Sequence, residues 1–148
     1  MVHRILSTNS FLFKIGIKTE DVCNFCHTDT ETLEHLFYNC EYVKSFWSTV
    51  EHWLSLNCEH INDIQLSIID IIFGFSGKIE GKCILDFVIL LAKYYSYRCK
   101  YNDEIPLIQS FKHLFSFWHK VEKQIEYTNC NWDYFDKRWK LYYNMLQD

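Results

Sequence analysis

The sequence predicts a mostly α-helical fold, a small bundle with a cysteine- and histidine-bearing knuckle near its N-terminus, and three observations predict it. Hydrophobic residues make up 49% of the 148 positions and aromatics 18%, enough to build a core for one domain. Four Gly and one Pro are too few for a loop-rich or disordered chain. Beyond residue 40, apolar residues recur at spacings of three and four, the period of a helix that buries one face.

Taken in order, HRILSTNSFLFKIGIKT reads as two short helical pieces. Arg4, Ile5 and Leu6 look like the last turn of a helix, which suggests a piece of something longer. Asn9 or Ser10 caps a second piece carrying Phe11, Leu12 and Ile15 and closing at Gly16. Thr30 or Thr32 is then an N-cap for a short helix bearing His35, with Glu31 and Glu34 in its first turn. A regular helix starts at Glu41, with Val43, Phe46, Trp47, Val50 and Leu54 on one face, and the polar run Asn57 to Asp63 ends it. Between Gln65 and Phe75 the pattern fits a short helix or a strand, and the helix closed by Gly74 is the favoured reading.

Lys82 to Tyr101 is the most apolar element, suited to the middle of a bundle, and Asn102 to Glu104 close it. Pro106 suits the first turn of the next helix, striped by Phe111, Leu114, Phe115, Trp118, Val121 and Ile125. A last helix places Trp132, Phe135, Trp139, Tyr142 or Tyr143, and Leu146 together. The expected organisation is a knuckle region with flanking helices over 1–56 and a bundle packed on it over 57–148, together one compact domain.

The knuckle carries the chemistry. Cys23, Cys26, His35 and Cys40 form C-x2-C-x8-H-x4-C. Two cysteines separated by two residues can turn both sulfurs inward on one tight turn. His35 and Cys40, five positions apart, do not share a face of a straight α-helix, because five steps of about 100° separate them. They converge if the helix bends or ends at Tyr38-Asn39. Three thiolates and one imidazole make a closed tetrahedral set for Zn²⁺, with no position left for a catalytic water. His27 is an alternative to His35, disfavoured by its adjacency to Cys26. Cys58, Glu59 and His60 lack a second pair of ligands nearby, and Cys83, Cys99 and Cys130 on apolar stretches read as packing residues.

Seven cysteines, an odd number with a metal-like cluster, point to an intracellular, reducing compartment rather than a disulfide framework. Met1 to Arg4 does not open a signal peptide, and the apolar run Phe87 to Ala92 is too short to span a membrane. The formal charge of −4 is uneven: residues 1–92 hold six Lys/Arg against twelve Asp/Glu, and residues 93–147 hold nine against six. Any nucleic-acid contact is therefore expected in the C-terminal half. The cations there include Lys93, Arg98, Lys100, Lys112, Lys120, Lys123, Lys137, Arg138 and Lys140.

The run LFKIGIKTEDVCNFCHTDTETLEHLFYNCEYVKSFW resembles the zinc-binding domain at the C-terminal end of reverse transcriptases of non-LTR, LINE-type retrotransposons. The shared pattern is a Leu/Phe-rich piece ending in Gly16-Ile17, the C-x2-C pair, Glu31 to His35 as Glu-Thr-x-Glu-His, Cys40, and Phe46-Trp47. FVILLAKYYSYRCKYNDEIP and Lys137 to Trp139 resemble the tail that follows in such polyproteins. The resemblance implies Zn²⁺ held by Cys23, Cys26, His35 and Cys40. It also implies contact with RNA or single-stranded DNA, an upstream reverse transcriptase domain, and a place in cytoplasm and nucleus. Lys93, Arg98, Lys100, Lys137, Arg138 and Lys140 are the expected nucleic-acid residues. The x8 loop is longer and more acidic than the C-x2-C-x4-H-x4-C of retroviral knuckles, which weighs against phosphate contact by the knuckle itself. Catalysis is not expected: Tyr101 to Glu104 lacks the second Asp of a polymerase Tyr-x-Asp-Asp. The competing reading is a zinc-stapled structural or protein-interaction module, which an exposed apolar patch would favour.

Overall fold

The computed structural model describes residues 6–58, 61 and 64–146. The expected helix end at Arg4-Ile5 and the Glu59-His60 pair lie outside these residues. Six α-helices follow one another: α1 (Asn9–Lys14), α2 (Glu41–Asn57), α3 (Ile68–Phe73), α4 (Lys82–Asn102), α5 (Ile108–Thr128) and α6 (Trp132–Trp139). A π-helical turn, His35–Asn39, precedes α2, and a 3₁₀ segment, Lys140–Leu146, continues α6. Among the described residues there is no strand, only an isolated antiparallel bridge between Val22 and Thr30. The chain is a helical bundle, as its periodicity predicts.

Local chemistry sets the boundaries, in places differently from expectation. Thr8, rather than Asn9 or Ser10, caps α1, its hydroxyl accepting the Phe11 N–H. Asn9 is instead buried and turned to another task. The segment Gln65 to Phe75 is helical at its centre because Ser67 and Asp70 form a capping box, and Gly74, at φ 97°, ends it. Pro106 stands two positions before the first residue of α5 rather than in its first turn. The last helix tightens to 3₁₀ geometry at Lys140.

The core is an aromatic chain that begins beside the knuckle and ends at the C-terminus. Phe46 meets Phe111 edge-on at 5.6 Å, Phe111 meets Trp53 at 5.9 Å, and Trp53 meets Phe115 at 5.3 Å. Phe115 then contacts Trp139 at 5.6 Å, and Phe87 joins Trp139 at 6.1 Å. Offset and edge-to-face rings add to the apolar burial itself. Because α2 supplies Phe46 and Trp53 while α5 supplies Phe111 and Phe115, residues before and after position 57 share one core. Tyr142 closes the far end, donating to the Gly81 carbonyl at 2.9 Å. A Cβ at Gly81 would fall 2.7 Å from the Tyr142 ring, so only glycine lets the C-terminal segment approach here.

The stripe on α5 is buried only at its start. Phe111 and Phe115 are fully covered, whereas Trp118 and Ile125 are exposed. The short α6 packs back along the second half of α5 against Phe115, His119 and Glu122, which leaves Trp118 and Ile125 exposed away from that contact.

Candidate metal centre

Cys23 and Cys26 lie on a tight turn that the backbone closes from both sides. The Cys23 N–H donates to the Asp29 carbonyl at 2.8 Å, and the His27 N–H donates to the Cys23 carbonyl at 3.0 Å. Within the turn the Phe25 N–H points at the Cys23 sulfur, 3.4 Å away. His27 leaves the turn at φ 56°, a left-handed conformation, and its side chain is exposed. That geometry removes it from the cluster, so His35 is the histidine that faces the cysteines.

His35 and Cys40 reach each other through the π-helical turn. The Cys40 N–H donates to the His35 carbonyl at 2.9 Å, an i to i+5 bond that widens the turn by one residue. In a regular α-helix residues 35 and 40 would diverge, and the inserted residue brings them back to one side. Thr32 starts this segment, its hydroxyl accepting the His35 N–H at 3.1 Å. Cys40 is also the N-cap of α2, so the fourth ligand stands where the longest N-terminal helix begins.

The four ligand atoms all lie within 4.8 Å of one another. Cys23 Sγ is 4.0 Å from Cys40 Sγ, and Cys26 Sγ is 3.4 Å from His35 Nε2. A tetrahedron with Zn–S bonds of about 2.3 Å has S···S edges of about 3.8 Å, close to these separations. The donor set and its spacing therefore fit Zn²⁺. Cys23 and Cys40 are fully buried, His35 nearly so, and Cys26 is half-buried.

Proton affinities in the cluster diverge. The hydrogen bond to Cys40, with burial second, raises the Cys23 thiol well above the ordinary cysteine value. The same bond lowers Cys40, helped by the N–H groups of Tyr42 and Val43 in the first turn of α2. Burial pushes Cys26 up, but donors from Thr28, Asp29 and His35 outweigh it and leave it lowered. Burial likewise lowers His35, yet its bond to Cys26 and the nearby Cys23 outweigh that and raise it. Four groups thus compete for few protons around one point, a frustration that a divalent cation relieves by replacing them.

The layer behind the ligands is one that spacing alone does not reveal. Glu31 is fully buried and lies before the His35 helix rather than in its first turn. Its carboxylate accepts the Asn9 N–H at 2.8 Å and the Asn24 N–H at 3.3 Å, and pairs with Lys100 at 2.5 Å. The readable signal for Lys100 was its register: Ala92, Ser96, Cys99 and Lys100 share the buried face of α4.

The expected nucleic-acid residues are not equivalent. Lys100 is 2% exposed and ion-paired with Glu31, which sets it apart from the surface cations expected to meet nucleic acid. Lys93 is half-buried and donates to the Ile72 carbonyl at 3.2 Å. Arg138 is half-buried against Glu122 at 2.5 Å. Arg98, Lys137 and Lys140 are exposed.

Against known proteins, a family model described as zinc-binding in reverse transcriptase matches residues 1–47. No curated protein and no solved structure matches the chain significantly. The matched span contains all four ligand residues and ends within α2, so over that span the chain is similar to the zinc-binding segment of reverse transcriptases.

Proposed function

We propose that this chain is a zinc-stapled, nucleic-acid-contacting module of a LINE-type retrotransposon reverse transcriptase, non-catalytic by itself and working beside a polymerase domain in the same polyprotein. The observation that carries this reading is the closed Cys3His cluster inside the segment matched by the reverse transcriptase family model. Zinc bound there supplies structure rather than Lewis-acid chemistry, because four protein ligands fill its tetrahedron. Cys23 and Cys26 hold one side of it from the knuckle turn, and His35 and Cys40 hold the other from the π-helical turn and the start of α2.

In this reading RNA or single-stranded DNA meets the exposed cations Arg98, Lys137 and Lys140, while Lys93, Lys100 and Arg138 are engaged within the protein. A zinc ion with three thiolates carries a charge of −1, so the knuckle adds no attraction for phosphate. The protein acts in cytoplasm and nucleus, where thiols stay reduced. The test is zinc content measured together with binding to single-stranded RNA and DNA over a salt series. Each phosphate neutralised contributes about 0.7 to the log–log slope for single strands. Replacing Arg98, Lys137 and Lys140 with Ala should flatten that slope at unchanged zinc content. No binding at about 50 mM salt, where such contacts are strongest, would overturn the nucleic-acid part.

A second reading, an interaction module, has its own observation. Two adjoining hollows of 560 and 270 Å³ share Leu6, Leu33 and Ile72. Around them Leu6, Ile69, Phe73, Leu90 and Tyr94 are exposed. A reverse transcriptase domain packing on this apolar surface, with no nucleic-acid contact, would account for the same cluster.

A further inference from the structure

We infer that Lys100 is a positioning residue of the zinc site, acting through Glu31, so that the helical bundle is part of the metal-binding unit. The inference rests on the cluster holding zinc and is independent of any nucleic-acid contact.

The geometry converges on Asn24, which lies between the ligands Cys23 and Cys26. Its N–H is held by one Glu31 oxygen at 3.3 Å. Its side-chain oxygen accepts from Asn9 at 2.6 Å, and its side-chain nitrogen donates to the Lys100 carbonyl at 3.3 Å. The knuckle turn is thus fixed by α1 on one side and by the last turn of α4 on the other. Lys100 closes the arrangement twice. Its backbone carbonyl receives Asn24, and its ammonium group pairs with Glu31 and donates to the Ser7 carbonyl at 2.6 Å.

Burial gives this pair its leverage. Glu31 and Lys100 are 0% and 2% exposed, so neither charge can turn to water if the other is removed. Losing one partner of such a pair strands an uncompensated charge, whereas losing both does not. Without Lys100, the Glu31 carboxylate would sit unpaired behind a zinc–thiolate centre that is itself anionic. The least costly response is to move Glu31, and with it the N–H of Asn24 and the directions of both knuckle sulfurs. Outer-layer partners of metal ligands act in this way elsewhere, and their loss costs roughly 10–100-fold in metal affinity. The span matched by the family model stops at residue 47, so a contributor at position 100 lies outside it.

The test uses the full chain and titrates zinc against a chromophoric chelator, with Co²⁺ absorption as a second readout of ligand geometry. K100M and E31Q should each weaken zinc binding by roughly 10–100-fold and change the Co²⁺ d–d bands. The double variant E31Q/K100M should bind more tightly than K100M, because the stranded carboxylate is gone. Helical circular dichroism identifies variants that fold; should K100M fail to fold, the near-isosteric E31Q carries the test alone. If folded K100M and E31Q hold zinc within about threefold of wild type, well below the loss expected for an outer-layer partner, the inference is wrong while the metal site stands. Wild-type protein that takes up no zinc would remove the metal reading and this inference with it.

Discussion

The knuckle and the α5–α6 pair solve the same problem, fixing a short segment on the bundle, by opposite means. Residues 7–40 bury Phe25, Leu36 and Phe37, but what fixes the knuckle itself is ligand atoms, backbone hydrogen bonds and one buried ion pair. The α5–α6 pair holds together through Phe115, Phe135 and Trp139, with an Arg138–Glu122 bridge at its edge. Directional interactions fix geometry to within tenths of an ångström but fail together when one member is lost. Apolar burial tolerates local change, and it leaves loose ends, as the exposed Trp118 and Ile125 on α5 testify. The comparison teaches that the region built on directional bonds around four ligand atoms is the one whose order should respond to a bound metal, and the region built on apolar burial is the one that should not.

Removing zinc should produce the largest effect. Structural zinc contributes about 10–16 kcal/mol of apparent binding energy in small peptides, an upper bound for this site. Chelation should lower the melting temperature by the largest margin of any treatment, and Cys40→Ser should mimic it while dropping zinc stoichiometry from near one. The aromatic chain from Phe46 to Trp139 contains no ligand, so most helical circular dichroism should survive. Complete loss of helix on chelation would break the comparison, because it would make the bundle as metal-dependent as the knuckle.

The next effect probes the other region. Trp139 is fully buried and touches Phe87, Phe115 and Phe135. Trp139→Ala should cost about 3–5 kcal/mol in denaturant unfolding, with zinc content unchanged. Trp118→Ala, at an exposed position of α5, should cost much less, about 1 kcal/mol or below, since surface substitutions rarely do more. Equal costs would mean that Trp118 is packed against something in solution.

How much of this could be read from the chain follows the same division. The four ligands, the helical class and the start of α2 are local patterns, and spacing reveals them. The π-helical turn solves a conflict visible in the spacing of His35 and Cys40, although its form is fixed only by the packing around it. The Glu31–Lys100 pair depends on which elements meet across 69 positions of sequence, so Glu31 reads as loop acidity and Lys100 as surface basicity. The even stripe of α5 promises burial along its whole length. Instead α6 packs on the side of α5 that carries Phe115, His119 and Glu122 and leaves Trp118 and Ile125 exposed, because periodicity states which residues share a face and not where the neighbouring helix will lie.

The smallest effect sharpens the comparison, because α3 holds a polar loop without metal. Burial pushes the Asp70 carboxyl up, but hydrogen bonds from the N–H and hydroxyl groups of Ser67 and Ser76 outweigh it and bring its pKa down to about 2. A carboxyl with a lower pKa in the folded than in the unfolded state stabilises the fold above its unfolded value, here 3.8. That contribution, about 2 kcal/mol from the size of the shift, is lost as pH falls from about 4 to about 2. Asp70→Asn should therefore destabilise the protein by about 1–2 kcal/mol at neutral pH and remove most of the stability change between pH 4 and 2. Zinc release on acidification requires protonation of the ligands and should remain in the variant, so the two transitions can be separated by following Co²⁺ absorption and helical signal together. If Asp70→Asn leaves the acid limb of the helical signal unchanged, that limb belongs to the metal site, and the polar loop at α3 contributes no measurable anchoring of its own.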